Sequence, residues 1–220
     1  MGARGPKPRK VFSTDWSANL AYAIGLLASD GCLSPPFSLI DLTSDDREQL
    51  ENFIRCLGIP LNITQKSGGN GKKYGRVQFK NVLFYEFLLS IGLTPKKSKT
   101  IGPLAIPPEL FWDFLRGLYD GDGSSHAYWD PRWKSSYMFY TIFVSASDRF
   151  IDWLRKEIST RTGRVGHTTR DKRGSICQLK FAKKDSLIVL RSMYYSTDVV
   201  SLSRKRLKVE GILRIVGERL

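Results

Sequence analysis

Ala21-Tyr-Ala-Ile-Gly-Leu-Leu-Ala-Ser-Asp-Gly31 and Phe114-Leu-Arg-Gly-Leu-Tyr-Asp-Gly-Asp-Gly123 are two apolar, glycine-bearing stretches that each close on Asp-Gly. Leu20, Ile24 and Leu27 recur at helical spacing around the first, and Phe111, Phe114, Leu115 and Leu118 around the second, so each predicts a helix. Ser13, Thr14 or Asp15 can cap the first, Pro107 and Pro108 suit the start of the second, and Gly31 and Gly123 suit left-handed ends. Gly25 and Gly117 share one helical position, where the missing side chain costs about 1 kcal/mol of helix propensity. Close approach of the two helices offsets that cost and makes them a seam between two halves.

Side by side, such helices bring Asp30 and Asp122 together at their C-terminal ends. Each carboxylate then faces the negative end of a helix dipole and the charge of the other. A divalent cation relieves both. Mg²⁺ takes few carboxylate oxygens and completes its shell with phosphate and water, which suits a site open to a polyanion.

The order of elements after each helix also repeats. The patterning predicts a strand over 38–42, a helix over 45–57, strands over 61–66 and 74–80 around a glycine-rich turn, and a helix over 82–91. In the second copy it predicts a strand over 137–145, a helix over 148–160, strands over 165–170 and 175–181 around a turn, a helix over 183–194 and a last helix over 202–216. Val77-Gln-Phe-Lys80 lies over Cys177-Gln-Leu-Lys180, and Pro95-Lys-Lys-Ser98 over Ser203-Arg-Lys-Arg206. The expected organisation is a basic arm at 1–12, a first half at 13–95, a linker at 96–107 and a second half at 108–220.

The 35 Lys and Arg outnumber the 21 Asp and Glu, and a formal charge of +14 calls for an anionic partner. The basic residues are spread over strands rather than gathered on one amphipathic helix, which favours nucleic acid over a membrane surface. No apolar run approaches the roughly 20 residues of a membrane span, and the N-terminus lacks the order of a signal peptide, so no secretion is expected. Cys32, Cys56 and Cys177 lack metal-ligand spacing and read as reduced core residues; His126 and His167 are isolated and carry no catalytic role.

Strand alternation puts Arg76, Gln78 and Lys80 on one face in the first half, and Gln178 and Lys180 on one face in the second. These types suit base edges, Arg and Lys for guanine and Gln for adenine. Lys66, Lys72, Lys73, Arg170, Lys172 and Arg173 border the hairpin turns and are expected on phosphates. Tyr128, Trp129, Trp133, Tyr137 and Tyr140 form an aromatic segment that reads either as a DNA-contacting loop or as core.

The positions Ala23-Ile-Gly-Leu-Leu-Ala-Ser-Asp-Gly31 and Leu115-Arg-Gly-Leu-Tyr-Asp-Gly-Asp-Gly123 resemble the two signature helices of single-chain LAGLIDADG homing endonucleases, and the resemblance runs from about Asp15 to the last helix. It implies an α+β fold of two pseudo-symmetric αββαββα halves, packed through the motif helices, each with a curved antiparallel sheet in a DNA-binding saddle. It implies that Asp30 and Asp122 are catalytic and bind Mg²⁺, with Mn²⁺ substituting and Ca²⁺ supporting binding without cleavage. Lys97 and Lys205 match the basic residues placed near each centre, where they stabilise phosphate charge or polarise water, with the neighbouring Lys96, Lys99, Arg204 and Arg206 as alternatives. Asp120 has Ala28 as its counterpart and reads as structural or as helix-end decoration, not as a ligand. Asp41 is a possible match in the first half to a strand residue that orients water, and the second half offers no clean match.

The function implied is double-strand cleavage of a long DNA target by a monomer, leaving short 3′ overhangs, for intron mobility. The chain opens on Met without flanking splicing blocks, so intron encoding is expected over an intein. The implied location is the cytoplasm or nucleoid of a prokaryote, or an organellar matrix or stroma. The alternatives are a LAGLIDADG-type splicing maturase bound to intron RNA, and a DNA-binding regulator that has lost catalysis.

Overall fold

The computed structural model describes residues 13–69, 71–172 and 174–220. The expected arm at 1–12 and Arg173 lie outside the described residues. The first run of elements is α1 (Ala18–Ser29), β1 (Gly31–Ser34), β2 (Leu39–Ser44), α2 (Arg47–Leu57), β3 (Ile63–Ser67), β4 (Lys73–Lys80) and α3 (Val82–Ser90). The second is α4 (Phe111–Gly121), β5 (Ser124–Trp129), β6 (Tyr137–Ser145), α5 (Asp148–Thr162), β7 (His167–Arg170), β8 (Cys177–Ala182) and α6 (Lys183–Met193), followed by α7 (Ser203–Ile215). Two antiparallel sheets, ordered β1-β2-β4-β3 and β5-β6-β8-β7, complete an α+β fold of paired αββαββα units.

From Leu20 to Ala28, α1 is buried on every side, as the apolar character of that stretch requires. It crosses α4 backbone to backbone. A Cβ added at Gly25 would stand 2.2 Å from the Phe114 carbonyl oxygen, and one at Gly117 would stand 2.1 Å from that of Tyr22. Both separations are far inside van der Waals contact, so only glycine fits at either position. Tyr22 donates across the seam to Asp120 (2.8 Å), which also accepts from the Leu202 amide (2.7 Å). Arg116 is fully buried and donates to Asp113 (2.6 Å), to the Met193 carbonyl (2.6 Å) and to the Val200 carbonyl (2.7 Å).

Each sheet packs one face on its helices. Ile40, Leu42 and Val77 are buried there in the first half, and Phe139, Phe143, Leu179 and Phe181 in the second. The alternate residues form the outward face.

Several expectations need correction. Ser17, not residues 13–15, caps α1, accepting from the Leu20 amide. Gly31 and Gly123 do not form left-handed caps, because the helices end on Asp30 and Asp122 in the right-handed region. Gly31 and Gly123 are confined instead by packing: added Cβ atoms would lie 2.6 Å from the Leu27 carbonyl oxygen and the Tyr119 Cα. β1 and β5 start directly on or beside those glycines, where the sequence suggests no strand. Cys32 is exposed, because it sits on the outward face of β1. The aromatic segment lies largely outside the core: Tyr128, Trp129 and Trp133 are exposed and Tyr140 is half-buried, while Tyr137 is half-buried and packs against the core.

The repeat alignment also shifts. Cys32, two residues past Asp30, pairs with Asp41, which pairs with Gln78. Ser124, two residues past Asp122, pairs with Ile142, which pairs with Lys180. Gln78 therefore corresponds to Lys180, not to Gln178, and Asp41 corresponds to Ile142.

Candidate carboxylate centre and nucleic-acid interface

The ends of α1 and α4 bring Asp30 and Asp122 to one place. A Cβ added at Gly121 would fall 1.9 Å from Ser29 Oγ and 3.0 Å from Asp30 Oδ2, so the two helix ends touch beside the carboxylates. Burial raises the Asp30 pKa, and the Asp122 charge raises it further; Gln49, Lys205 and Lys97 oppose the rise. Asp122 lies on the open rim, yet the desolvation of its crowded surroundings still raises its pKa, opposed by Lys205 and Lys97.

The two carboxylates differ in their supports. Ser44 Oγ donates to Gln49 Oε1 (3.0 Å), which turns the Gln49 amide so that Nε2 donates to Asp30 Oδ2 (2.7 Å). Counted from the helix caps Asp46 and Ser147, Gln49 of α2 corresponds to Phe150 of α5. Asp122 thus has an apolar neighbour where Asp30 has an amide. It borders a cavity of about 240 Å³ lined also by Lys97, Val144, Phe150 and Ile176. Gln49 escapes a reading of the sequence because nothing in α2 announces that its third residue reaches a carboxylate from another helix.

Lys97 and Lys205 are buried and occupy equivalent positions. Lys97 Nζ donates to the Ser29 carbonyl (3.1 Å) and the Gly31 carbonyl (2.6 Å), which flank Asp30. Lys205 Nζ donates to the Tyr119 (2.6 Å), Gly121 (2.7 Å) and Gly123 (2.7 Å) carbonyls, the last two flanking Asp122. An ammonium has three donors, so Lys205 has none left for a phosphate or a water. Its expected direct contact narrows to that of a fixed positive charge on the C-terminal end of a helix. Burial lowers the pKa of both, that of Lys205 to about 8, against the pull of nearby carboxylates. Arg204 and Arg206 pair elsewhere, with Asp46 and Glu210.

Asp120 is wholly buried, not helix-end decoration, and burial pushes its pKa up to about 6 against hydrogen bonds from Tyr22 and Leu202. It joins the seam and takes no part in the open centre.

The expected contact residues divide by surroundings. On the outward face of the first sheet, Asp41 accepts from Gln78 Nε2 (3.0 Å) and Thr43 Oγ1 (2.8 Å), with Arg76 3.9 Å away. Lys80 lies over the Phe37 ring, and Lys66 and Lys73 are exposed. In the second half Gln178 and Lys180 are half-buried on the outward face and Lys172 is exposed. Lys72 and Arg170 are paired with Asp45 and Asp148, in exposed ion pairs of the kind that contribute little. Arg170 points to the helix side of its sheet, opposite Cys177, rather than outward.

Among the described residues, no group of three or more His, Cys, Asp or Glu could enclose a metal, and no helix is long and apolar enough to cross a membrane. What the centre offers is an open pair of carboxylates among backbone carbonyls. These are hard oxygen donors that fit a Mg²⁺ completing its shell with phosphate and water.

No family model matches the chain, and no curated protein matches it in sequence. Solved structures do match in fold. Full-length DUF199/WhiA from Thermatoga maritima aligns at 18% identity and a TM-score of 0.57 over 94% of this chain, which spans 63% of that protein. The homing endonuclease I-WcaI bound to its DNA recognition sequence aligns at 14% identity and 0.56, covering 93% of this chain and 94% of that one. The LAGLIDADG homing endonuclease I-LtrWI bound to target DNA aligns at 12% and 0.57, covering 90% of each. The shared feature is the LAGLIDADG fold.

Proposed function

We propose that this chain is a monomeric, site-specific endonuclease that hydrolyses both strands of duplex DNA with Mg²⁺, in the service of intron mobility. The observation that carries the reading is the meeting of Asp30 and Asp122 at the ends of two glycine-crossed helices, a placement the bare fold does not need. Asp30 and Asp122 would hold the Mg²⁺, which supplies a Lewis acid that activates water and stabilises the leaving oxygen. Gln49 fixes the rotamer of Asp30, and Lys97 and Lys205 hold the helix ends and offset the carboxylate charge. The outward sheet faces and the +14 charge serve the duplex.

Cleavage of a randomised duplex library in Mg²⁺, with the cut ends sequenced, tests activity, overhang and target together. Asp30→Asn and Asp122→Asn are each expected to abolish double-strand cleavage while leaving Ca²⁺-supported binding intact. Wild-type cutting by both variants would sink the assignment. A second reading, a DNA-binding protein that does not cut, draws on the likeness to WhiA over nearly the whole chain. Sequence-selective binding without cleavage by the wild type, in Mg²⁺ or Mn²⁺, would favour it.

A further inference from the structure

The two outward sheet faces are built from different chemistry. In the first half the central row is Cys32, Asp41 and Gln78, flanked by Thr43 with Arg76 and by Leu39 with Lys80, so the face is dominated by polar and charged groups. In the second half the corresponding strand, β6, presents Met138, Tyr140, Ile142 and Val144, all half-exposed. Beside them stand His126 and Tyr128 on β5, and Tyr128 stacks on Tyr140 with ring centroids 6.2 Å apart. Lys180 and Gln178 lie across from Ile142 and Val144.

Half-exposed aliphatic side chains along the middle strand of a sheet form an apolar stripe that water solvates poorly. Lys180 stands directly across from Ile142 on the same face, so the stripe suits a polyanion with apolar groups on its floor. In a duplex major groove the apolar group is the thymine C5-methyl, the one base-edge feature that aliphatic side chains can read. Val144 also lines the cavity beside Asp122, so the stripe runs up to that carboxylate.

We propose, resting on the DNA-binding part of the proposed function, that the two halves recognise DNA by different means. The first sheet reads hydrogen-bonding edges, whereas Ile142 and Val144, with Met138 and Tyr140, read thymine methyls in the other half-site.

The test is selection from a randomised duplex library in Ca²⁺, followed by titration of the selected duplex with deoxyuridine replacing thymidine one half-site at a time. The half-site contacted by the second sheet is identified as the one whose sequence preference changes in the Ile142→Ala/Val144→Ala variant. Expected are thymine enrichment in that half-site and an affinity loss of about fourfold per methyl removed, the value of one buried carbon group. In the double-alanine variant that sensitivity disappears, while deoxyuridine in the other half-site changes little in either protein. Equal or absent methyl sensitivity in the two half-sites overturns the inference and leaves the DNA partner standing. A dimer in sedimentation that Ile142→Lys disrupts also overturns it, because the stripe would then be a self-association surface. Failure to select any duplex sequence overturns both the inference and the function it rests on.

Discussion

At the end of α1, Asp30 is held by the Gln49 amide, which is itself turned by Ser44; at the end of α4, Asp122 meets the side of the cavity that Phe150 lines. Two residues beyond, the first sheet offers Asp41 and Gln78, where the second offers Ile142 and Lys180. The seam between these regions is nevertheless near-symmetric, with Gly25 and Gly117 each facing the other helix's carbonyls. The difference shows which features an internal duplication must keep. Backbone crossing admits one residue type on both sides, whereas side chains that line the outward faces or support a carboxylate are free to diverge.

The largest expected effect lies where the halves agree. Gly25→Ala and Gly117→Ala should each destabilise the fold by about 3 kcal/mol or more in urea denaturation, because the added methyl meets backbone that cannot give way. A loss confined to one of them would break the symmetry of the seam.

The lysines sharpen the comparison next. Lys205→Met leaves three carbonyls without their donor and Lys97→Met leaves two, so costs of about 3 and about 2 kcal/mol are expected, in that order. With a pKa of about 8, Lys205 holds its charge below that pH and loses it above. Because its folded pKa lies below the unfolded one, its ionisation alone adds stability as pH rises past about 8, while any cleavage that needs the ammonium declines through the same range. Lys205→Arg, which stays charged, should move that alkaline limb upward; an unmoved limb would assign it to another group.

Gln49→Leu gives the first half the apolar support of the second. It is expected to slow cutting of one strand about ten- to a hundredfold, as loss of a carboxylate's orienting partner does at metal sites. The readout is accumulation of nicked over linear plasmid, with Ca²⁺-supported DNA affinity unchanged. Phe150→Leu should alter stability by about 1 kcal/mol and leave the strand ratio alone.

The smallest effect concerns Asp120. Its raised pKa means that the protonated form suits the fold, so its contribution is complete below the ordinary carboxylate range and is lost as pH rises through about 6. Asp120→Asn cannot ionise. It should therefore gain on the wild type between about pH 5 and about pH 7.5, by something on the order of 1 kcal/mol, measured by urea denaturation at both pH values.

The seam glycines, the duplicated order of elements and the pairing of Lys97 with Lys205 are legible in the sequence because each leaves a local pattern. β1 is not, since Gly-Cys-Leu-Ser is too short to show alternation and begins where a helix stop is the simpler reading. The register is easily misread because the likeness of Val77-Gln-Phe-Lys80 to Cys177-Gln-Leu-Lys180 is local, while the pairing is set by the strand between them. Arg116 gives no signal, because a charged side chain that is wholly buried and satisfied by distant carbonyls looks in sequence like any surface arginine.

The end of α4 is finished from far along the chain: the Leu202 amide reaches Asp120 across 82 positions and Lys205 reaches the Tyr119 carbonyl across 86. Leu202 and Lys205 both follow every strand of the two sheets in the chain, so they are synthesised after all of them. During synthesis the basic sheets can therefore take shape while the second carboxylate still lacks its clamp. On the proposed reading, a chain interrupted before residue 205 would carry a surface that attracts DNA and an unfinished centre for acting on it, so completion of the fold would itself gate the chemistry.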